Sequence, residues 1–151
     1  MKKVLIAEDH QGIGETYKLM LEAQGYEVTL TLNGEQCIRE FDAELQRTND
    51  TNKAPFELVI LDYHMPYKDG IDVASHILSI TPFQRILIAS SFPQEIITKS
   101  AQNLRGRIEL LQKPFDMEQF EDAVEQRAKL PVVGAAGQNQ SGQQLILETQ
   151  K

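Results

Sequence analysis

Acidic, hydroxyl and lysine side chains follow the apolar runs of this sequence. Glu8 and Asp9 follow residues 4–7, Asp62 follows residues 58–61, Ser90 follows residues 86–89, and Lys113 lies two residues after the run 108–111. In an open parallel sheet the carboxyl ends of the strands meet at one edge, where functional groups gather. We therefore expect these five side chains to converge on a single cleft.

The chemistry open to this set is phosphoryl transfer to a carboxylate. Three converging carboxylates repel one another unless a cation neutralises them, and a few carboxylates that leave room for water and phosphate oxygens suit Mg²⁺. An aspartate can attack a phosphoryl group and form an acyl phosphate when a metal and an ammonium group balance the charge. Asp62, the acidic pair and Lys113 supply these parts, and the Ser90 hydroxyl can bind a phosphoryl oxygen and convert the chemistry into a loop movement.

Each element of this pattern also has an ordinary structural interpretation. An acidic pair after a strand is usually a solvated turn, and Lys113-Pro114-Phe115 can be a simple strand exit. A Ser-Ser pair most often satisfies its own backbone. The prediction depends on all of these residues reaching the same edge of one sheet.

Apolar runs alternate with segments of helical periodicity five times along the chain, which predicts βα units and a parallel sheet. The pattern predicts a helix N-cap at Asn33 and a capping box that starts at Asp116. Met117, Phe120 and Val124 are expected to face inward from the last helix. The helix after Pro93 is expected to carry Leu104 inward.

Two segments are expected outside the sheet and helices. Residues 47–55 are polar and turn-rich, which predicts an exposed loop. We divide the chain into a domain at 1–129 and a flexible or partner-docking tail at 130–151, because glycine, glutamine and serine dominate the end. Residues 145–147, Leu-Ile-Leu, are the apolar exception within that tail.

Composition excludes several classes of function. A net charge of -7 and the lack of a Lys/Arg face argue against direct nucleic-acid binding. No apolar run approaches a membrane span, and the first residues do not form a secretory signal, so membrane insertion is not expected and a cytoplasmic protein is. The single cysteine, Cys37, is expected to be an inert buried side chain.

The segment from Asp62 to Gly70, with its Met-Pro turn and Asp-Gly helix entry, resembles response-regulator receiver domains. The resemblance continues through Glu8-Asp9, through residues 88–91 and through Lys113-Pro114-Phe115, and it covers about residues 2–129. It implies a flavodoxin-like α/β fold, (βα)5, doubly wound around a parallel five-stranded sheet of order 2-1-3-4-5.

The resemblance also implies a role for each residue of the site. Asp62 would be the phosphoacceptor, served by a histidine kinase, and Lys113 would bind the phosphoryl group. The Mg²⁺ ligands would be Glu8, Asp9, Asp62 and the backbone carbonyl of His64. Ser90 would be the switch hydroxyl, in a protein that is a phospho-accepting switch with slow self-dephosphorylation and not an enzyme. The downstream protein partner is not identified by the sequence, which leaves homodimer formation open.

The sequence departs from the usual receiver pattern at three positions. Glu8 replaces one of two common aspartates, Ser90 replaces a common threonine, and Leu110 replaces an aromatic residue often found three positions before the lysine.

Two alternative functions remain. A hydrolase with an aspartyl-phosphate intermediate would need a general acid just beyond the nucleophile, where the chain has Tyr63-His64. A flavodoxin-like flavin or nucleotide binder would need a glycine-rich phosphate loop after the first strand, and Gly12 and Gly14 are poor evidence for one.

Overall fold

The computed structural model describes residues 2–50 and 52–134. Within these residues, six strands form one sheet: β1 (Lys3–Ala7), β2 (Glu27–Thr31), β3 (Leu58–Asp62), β4 (Ile86–Ser90), β5 (Ile108–Gln112) and β6 (Val132–Val133). Five helices of the described chain connect them: α1 (Gln11–Ala23), α2 (Gly34–Thr48), α3 (Gly70–Ile80), α4 (Gln94–Ser100) and α5 (Met117–Val124). The predicted alternation of strands and helices is confirmed.

The sheet has the strand order β2-β1-β3-β4-β5-β6. Its first five strands are all parallel, in the order 2-1-3-4-5 expected for the receiver fold. The order reverses at β1, so the carboxyl ends of β1 and β3 lie side by side at the switch point. Ala7 pairs with Leu61, which brings the residues that follow these two strands to the same edge.

Alternate residues of the strands pack on opposite faces of the sheet. Leu5, Val59 and Ile88 belong to the cluster that contacts α2, α3 and α4, whereas Ile6 and Ile60 belong to the cluster that contacts α1 and α5. The central strands β3 and β4 are buried along their whole length. A strand covered on both faces must be apolar throughout, which explains why the runs 58–61 and 86–89 are continuous.

Side-chain caps fix the starts of four helices, and at α1 the His10 Nδ1 accepts a hydrogen bond from the Ile13 N–H. The Asn33 side chain accepts a hydrogen bond from the Gln36 N–H at the start of α2, as predicted. Asp116 and Gln119 form the predicted capping box at α5. A second capping box, between Asp69 and Asp72, starts α3 and was not predicted. Each cap satisfies N–H groups that the first helical turn leaves without partners.

The structure places regular elements within two predicted segments, and the division into a domain at 1–129 and a tail at 130–151 stays a prediction. β6 is antiparallel to β5 and falls within the predicted tail 130–151, and Val133 is fully buried. Residues 145–147 lie outside the described residues. The loop predicted at 47–55 begins later, because α2 continues to Thr48.

Two side chains also differ from the sequence prediction. Met117, the first residue of α5, is 59% exposed and does not face inward. Leu104 is nearly buried, as expected, but it follows the end of α4 at Ser100 and packs from a turn.

Cys37 is fully buried, in agreement with an inert role, and burial raises the pKa of its thiol to about 12. Among the residues described, no helix is long and apolar enough to cross a bilayer.

Candidate functional site

Three carboxylates meet at the carboxyl edge of β1 and β3. One oxygen from each of Glu8, Asp9 and Asp62 lies within 4.8 Å of the others. Glu8 and Asp62 are buried, whereas Asp9 is exposed at the mouth of the cleft. Oxygen donors at this spacing fit a hard divalent cation that is held by the protein on one side and open to water on the other.

Lys113 reaches the same group of carboxylates from the end of β5. Its Nζ donates a hydrogen bond to Asp62 Oδ1 at 3.0 Å, and the two side chains are 26% and 10% exposed. The Lys113 backbone N–H also donates to the Ser90 carbonyl at 2.7 Å. The lysine is therefore anchored at its backbone, with its ammonium group directed at one oxygen of Asp62.

The environment of Glu8 is costly for a charged carboxyl group. Burial raises its pKa from an ordinary value of 4.5 to about 7, and the negative charge of Asp62 adds to this effect. The positive charge of Lys113 opposes the shift without cancelling it. Without a cation, the acidic cluster therefore holds a proton on Glu8 in much of the population near neutral pH.

Ser90 ends β4, next to β3 in the sheet. Its side chain is buried, and Oγ accepts a hydrogen bond from the Phe92 N–H at 2.9 Å. Asp62 pairs with Ala89, so Ser90 lies one residue beyond Asp62 along the edge. The hydroxyl proton remains available to an oxygen placed in the cleft.

The loop from Asp62 to Gly70 folds closely against the end of β3. The Gly70 N–H donates to the Tyr63 carbonyl at 2.8 Å, and a Cβ at position 70 would lie 2.8 Å from the Asp62 carbonyl oxygen. Only glycine fits this contact, because real Cβ atoms almost never approach backbone so closely. The Asp-Gly helix entry of the sequence therefore holds Asp62 in position. The His64 ring is exposed and stacks on Phe92 at 6.1 Å, and the role of its carbonyl as a metal ligand stays a prediction.

The structure adds residues that sequence patterns did not single out. The Gln112 side-chain amide donates to the carbonyl oxygens of Ser90 and Phe92, and Phe92 itself packs against Tyr63. Gln112 precedes Lys113 at the end of β5, and this position alone does not distinguish it from a solvated side chain. Of the residues predicted for the site, the side chains of Glu8, Asp9, Asp62 and Lys113 are brought together, and Ser90 lies beside them.

Comparisons with known proteins point to one family. The family model for the response regulator receiver domain matches residues 4–125. Transcriptional regulatory protein PdtaR of Mycobacterium tuberculosis is 35% identical over 126 residues, which are 82% of this chain and 55% of PdtaR. Response regulator receiver protein CpdR of Brucella abortus is 28% identical and is covered to 95%, with 83% of this chain aligned. Sporulation initiation phosphotransferase F of Bacillus subtilis is 27% identical and is covered to 90%, with 82% of this chain aligned.

Solved structures show the same fold. A response regulator receiver domain protein from Clostridium thermocellum superposes with a TM-score of 0.68 at 25% identity, covering 83% of this chain and 93% of that one. The response regulator TrrA of Thermotoga maritima, in complex with Mg²⁺-BeF, gives a TM-score of 0.67 at 24% identity, covering 85% and 100%. This chain spans about half the length of PdtaR and nearly all of CpdR and of sporulation initiation phosphotransferase F. With the family model matching most of the chain and the sheet order in agreement, the chain belongs to the response regulator receiver domains of two-component systems.

Proposed function

We propose that Asp62 accepts a phosphoryl group from the phosphohistidine of a histidine kinase, in a Mg²⁺-dependent reaction. The observation that carries this proposal is the 3.0 Å contact of the Lys113 ammonium with Asp62, inside a cluster of three carboxylates. A lone structural ion pair would not need two further acidic side chains beside it, because they add repulsion and a desolvation cost. A site for a cation and a phosphoryl group accounts for all four residues.

In the transfer, one Asp62 carboxylate oxygen attacks phosphorus as the bond from phosphorus to the donor nitrogen breaks. The products are an acyl phosphate on Asp62 and a free imidazole on the kinase, which takes up one proton from water to replace the lost bond to phosphorus. Lys113 binds a phosphoryl oxygen in place of its present contact with Asp62, because the ammonium already lies within hydrogen-bond distance of the acceptor carboxylate. Glu8, Asp9, Asp62 and the His64 carbonyl would hold Mg²⁺, whose charge offsets that of the transferring oxygens.

In this scheme Ser90 is the residue that responds to phosphorylation of Asp62. Its hydroxyl proton is donated to a phosphoryl oxygen, which pulls the end of β4 towards Asp62 and alters the surface of α4 and β5. The protein then acts as a switch for a downstream protein or as an intermediate in a phosphorelay. The relative named a sporulation initiation phosphotransferase supports the relay role. We expect the acyl phosphate to hydrolyse slowly.

The same proposal covers location and partners. A kinase that uses ATP in the cytoplasm requires a cytoplasmic receiver, and the acidic charge of -7 disfavours direct contact with nucleic acid. The hydrolase alternative receives no support from the loop after Asp62, where the neighbouring side chains are the buried Tyr63 and the exposed His64.

Intact-mass spectrometry after incubation with acetyl phosphate tests the proposal. We expect one added phosphoryl group when Mg²⁺ is present, none with a chelator, and none in Asp62→Ala. Asp122→Ala, which removes an acidic side chain of α5 that pairs with Arg127, serves as the matched control and should be labelled like the wild type. Labelling that persists in Asp62→Ala or ignores the chelator would exclude the proposed site.

A further inference from the structure

Four hydrogen bonds fix the turn that joins β4 to α4. The Phe92 N–H donates to Ser90 Oγ at 2.9 Å, and the Lys113 N–H donates to the Ser90 carbonyl at 2.7 Å. The Gln112 amide donates to the carbonyls of Ser90 and Phe92 at 2.9 and 2.8 Å. An amide nitrogen carries two protons, so both donors of Gln112 are used on carbonyls two residues apart. Gln112 therefore clamps the backbone on both sides of Ser91.

The ring of Phe92 connects this turn to the loop after Asp62. It meets the Tyr63 ring edge-on at 5.1 Å between centroids and stacks on His64 at 6.1 Å. Phe92 is 37% exposed, whereas Tyr63 is 9% exposed. Aromatic pairs at such distances attract each other beyond the effect of the area they bury. A displacement of Phe92 therefore changes the packing of the Tyr63 ring.

Tyr63 extends the connection to the far end of α4. Its hydroxyl oxygen lies 3.4 Å from Oγ of Ser100, the last residue of that helix. Ser100 Oγ donates its own proton to the Ile96 carbonyl at 3.0 Å, so in this contact the Tyr63 hydroxyl is the donor. Contacts of Ser90 and Phe92 thus reach both ends of α4.

The Ser90 hydroxyl accepts one hydrogen bond, from the Phe92 N–H, and this bond must break when the side chain rotates towards the cleft. A rotation that moves Oγ towards Asp62 takes it away from the Phe92 N–H, which then loses its partner. Gln112 holds the two flanking carbonyls in place, so the movement is directed into Phe92 and is not absorbed by the backbone at Ser90.

From these contacts we propose that Phe92 and Gln112 are positioning residues that couple the Ser90 hydroxyl to α4, with Tyr63 completing the path to Ser100. This inference rests on the proposed phosphorylation of Asp62. It assigns to Phe92 and Gln112 a role in transmitting the phosphorylated state, without contact with the phosphoryl group.

Hydrogen exchange measured by mass spectrometry on peptides that cover residues 92–101 tests the inference. Exchange is compared with and without Mg²⁺ and acetyl phosphate, and intact mass records the phosphoryl group in each sample. In the wild type, phosphorylation should change the exchange rate of this segment roughly fivefold, the effect of about one hydrogen bond. Phe92→Leu and Gln112→Leu should take up the phosphoryl group and lose this response.

Two further variants make the test specific. Gln112→Lys keeps a donor for the two carbonyls and should restore the response, whereas a general loss of packing would not be rescued. Phe83→Leu changes a 53% exposed phenylalanine outside this turn and should respond like the wild type.

The outcomes separate the two claims. A wild-type protein that takes up no phosphoryl group would refute the proposed function, and this inference with it. Phosphorylation with a wild-type exchange response in either Phe92→Leu or Gln112→Leu would overturn this inference alone, as would the absence of any response in the phosphorylated wild type.

Discussion

Replacing Glu8 by glutamine removes a buried charge from the acidic cluster while keeping a side chain of similar size. The folded-state pKa of Glu8 is raised, from 4.5 to about 7, so ionisation of this group opposes folding as the pH rises. The carboxyl group costs nothing below pH 4.5, and its cost reaches a plateau above pH 7. At 1.36 kcal/mol per pKa unit, the penalty is about 1 kcal/mol at pH 5 and about 3 kcal/mol at pH 8.

Urea unfolding of the wild type and Glu8→Gln, in the presence of a chelator, measures this penalty. We expect Glu8→Gln to have the larger free energy of unfolding, with the gain rising by about 2 kcal/mol between pH 5 and pH 8. Glu22→Gln, on the exposed face of α1, is the control and should show no such rise. A Glu8→Gln protein that is no more stable than the wild type at pH 8 would refute the reasoning about the buried cluster.

Three further changes test separate parts of the structure. Lys113→Ala removes the ammonium group 3.0 Å from Asp62 and should slow acetyl phosphate labelling on the order of a hundredfold; an unchanged rate would show that Lys113 does not bind the phosphoryl group. Gly70→Ala places a Cβ 2.8 Å from the Asp62 carbonyl and should destabilise the fold by about 1 to 3 kcal/mol in urea, whereas Gly12→Ala, which approaches only the His10 side chain, should cost less. Glu44 has a pKa lowered to about 2 by hydrogen bonds from Arg47 and Lys3, so its stabilisation is present above pH 4.5 and is lost as the pH falls towards 2. Since Arg47 is largely exposed, Glu44→Gln should cost only about 1 kcal/mol at pH 7 and nothing near pH 2, and an equal cost at both pH values would contradict the ion-pair account.

The location of the site could be predicted because it follows from strand order. Side chains after parallel strands share one edge, so Glu8, Asp62 and Lys113 had to lie close together once the apolar runs were assigned to strands. The burial of Glu8 beside an exposed Asp9 could not be predicted in this way. It depends on how α1 leaves the end of β1, and adjacent acidic residues give no sign of that.

The two hydrogen bonds of the Gln112 amide could not be predicted from the sequence for a similar reason. Its two acceptors lie 20 and 22 residues away along the chain, and they come within reach only after β4 and β5 pair. A glutamine at a strand end has no periodicity or spacing that distinguishes it from a solvated side chain.

The sixth strand was missed because its signal is short and its surroundings are misleading. Val132–Val133 is too short to show a period, and glycine and glutamine dominate the residues that follow it. The strand is stabilised by tertiary contacts: Val133 is fully buried, and the Leu110 N–H donates to the Pro131 carbonyl at 2.9 Å. Local composition predicted a tail, because composition does not reveal that the edge of β5 is available to pair with a further strand.

The position of the phosphoryl group tests the central claim most directly. Borohydride reduction of the labelled protein converts an aspartyl phosphate into homoserine, which tandem mass spectrometry of peptides can locate. We predict homoserine at position 62, only after incubation with Mg²⁺ and phosphodonor. Homoserine at position 9 or at another aspartate, or a labelled protein with intact Asp62, would contradict the account.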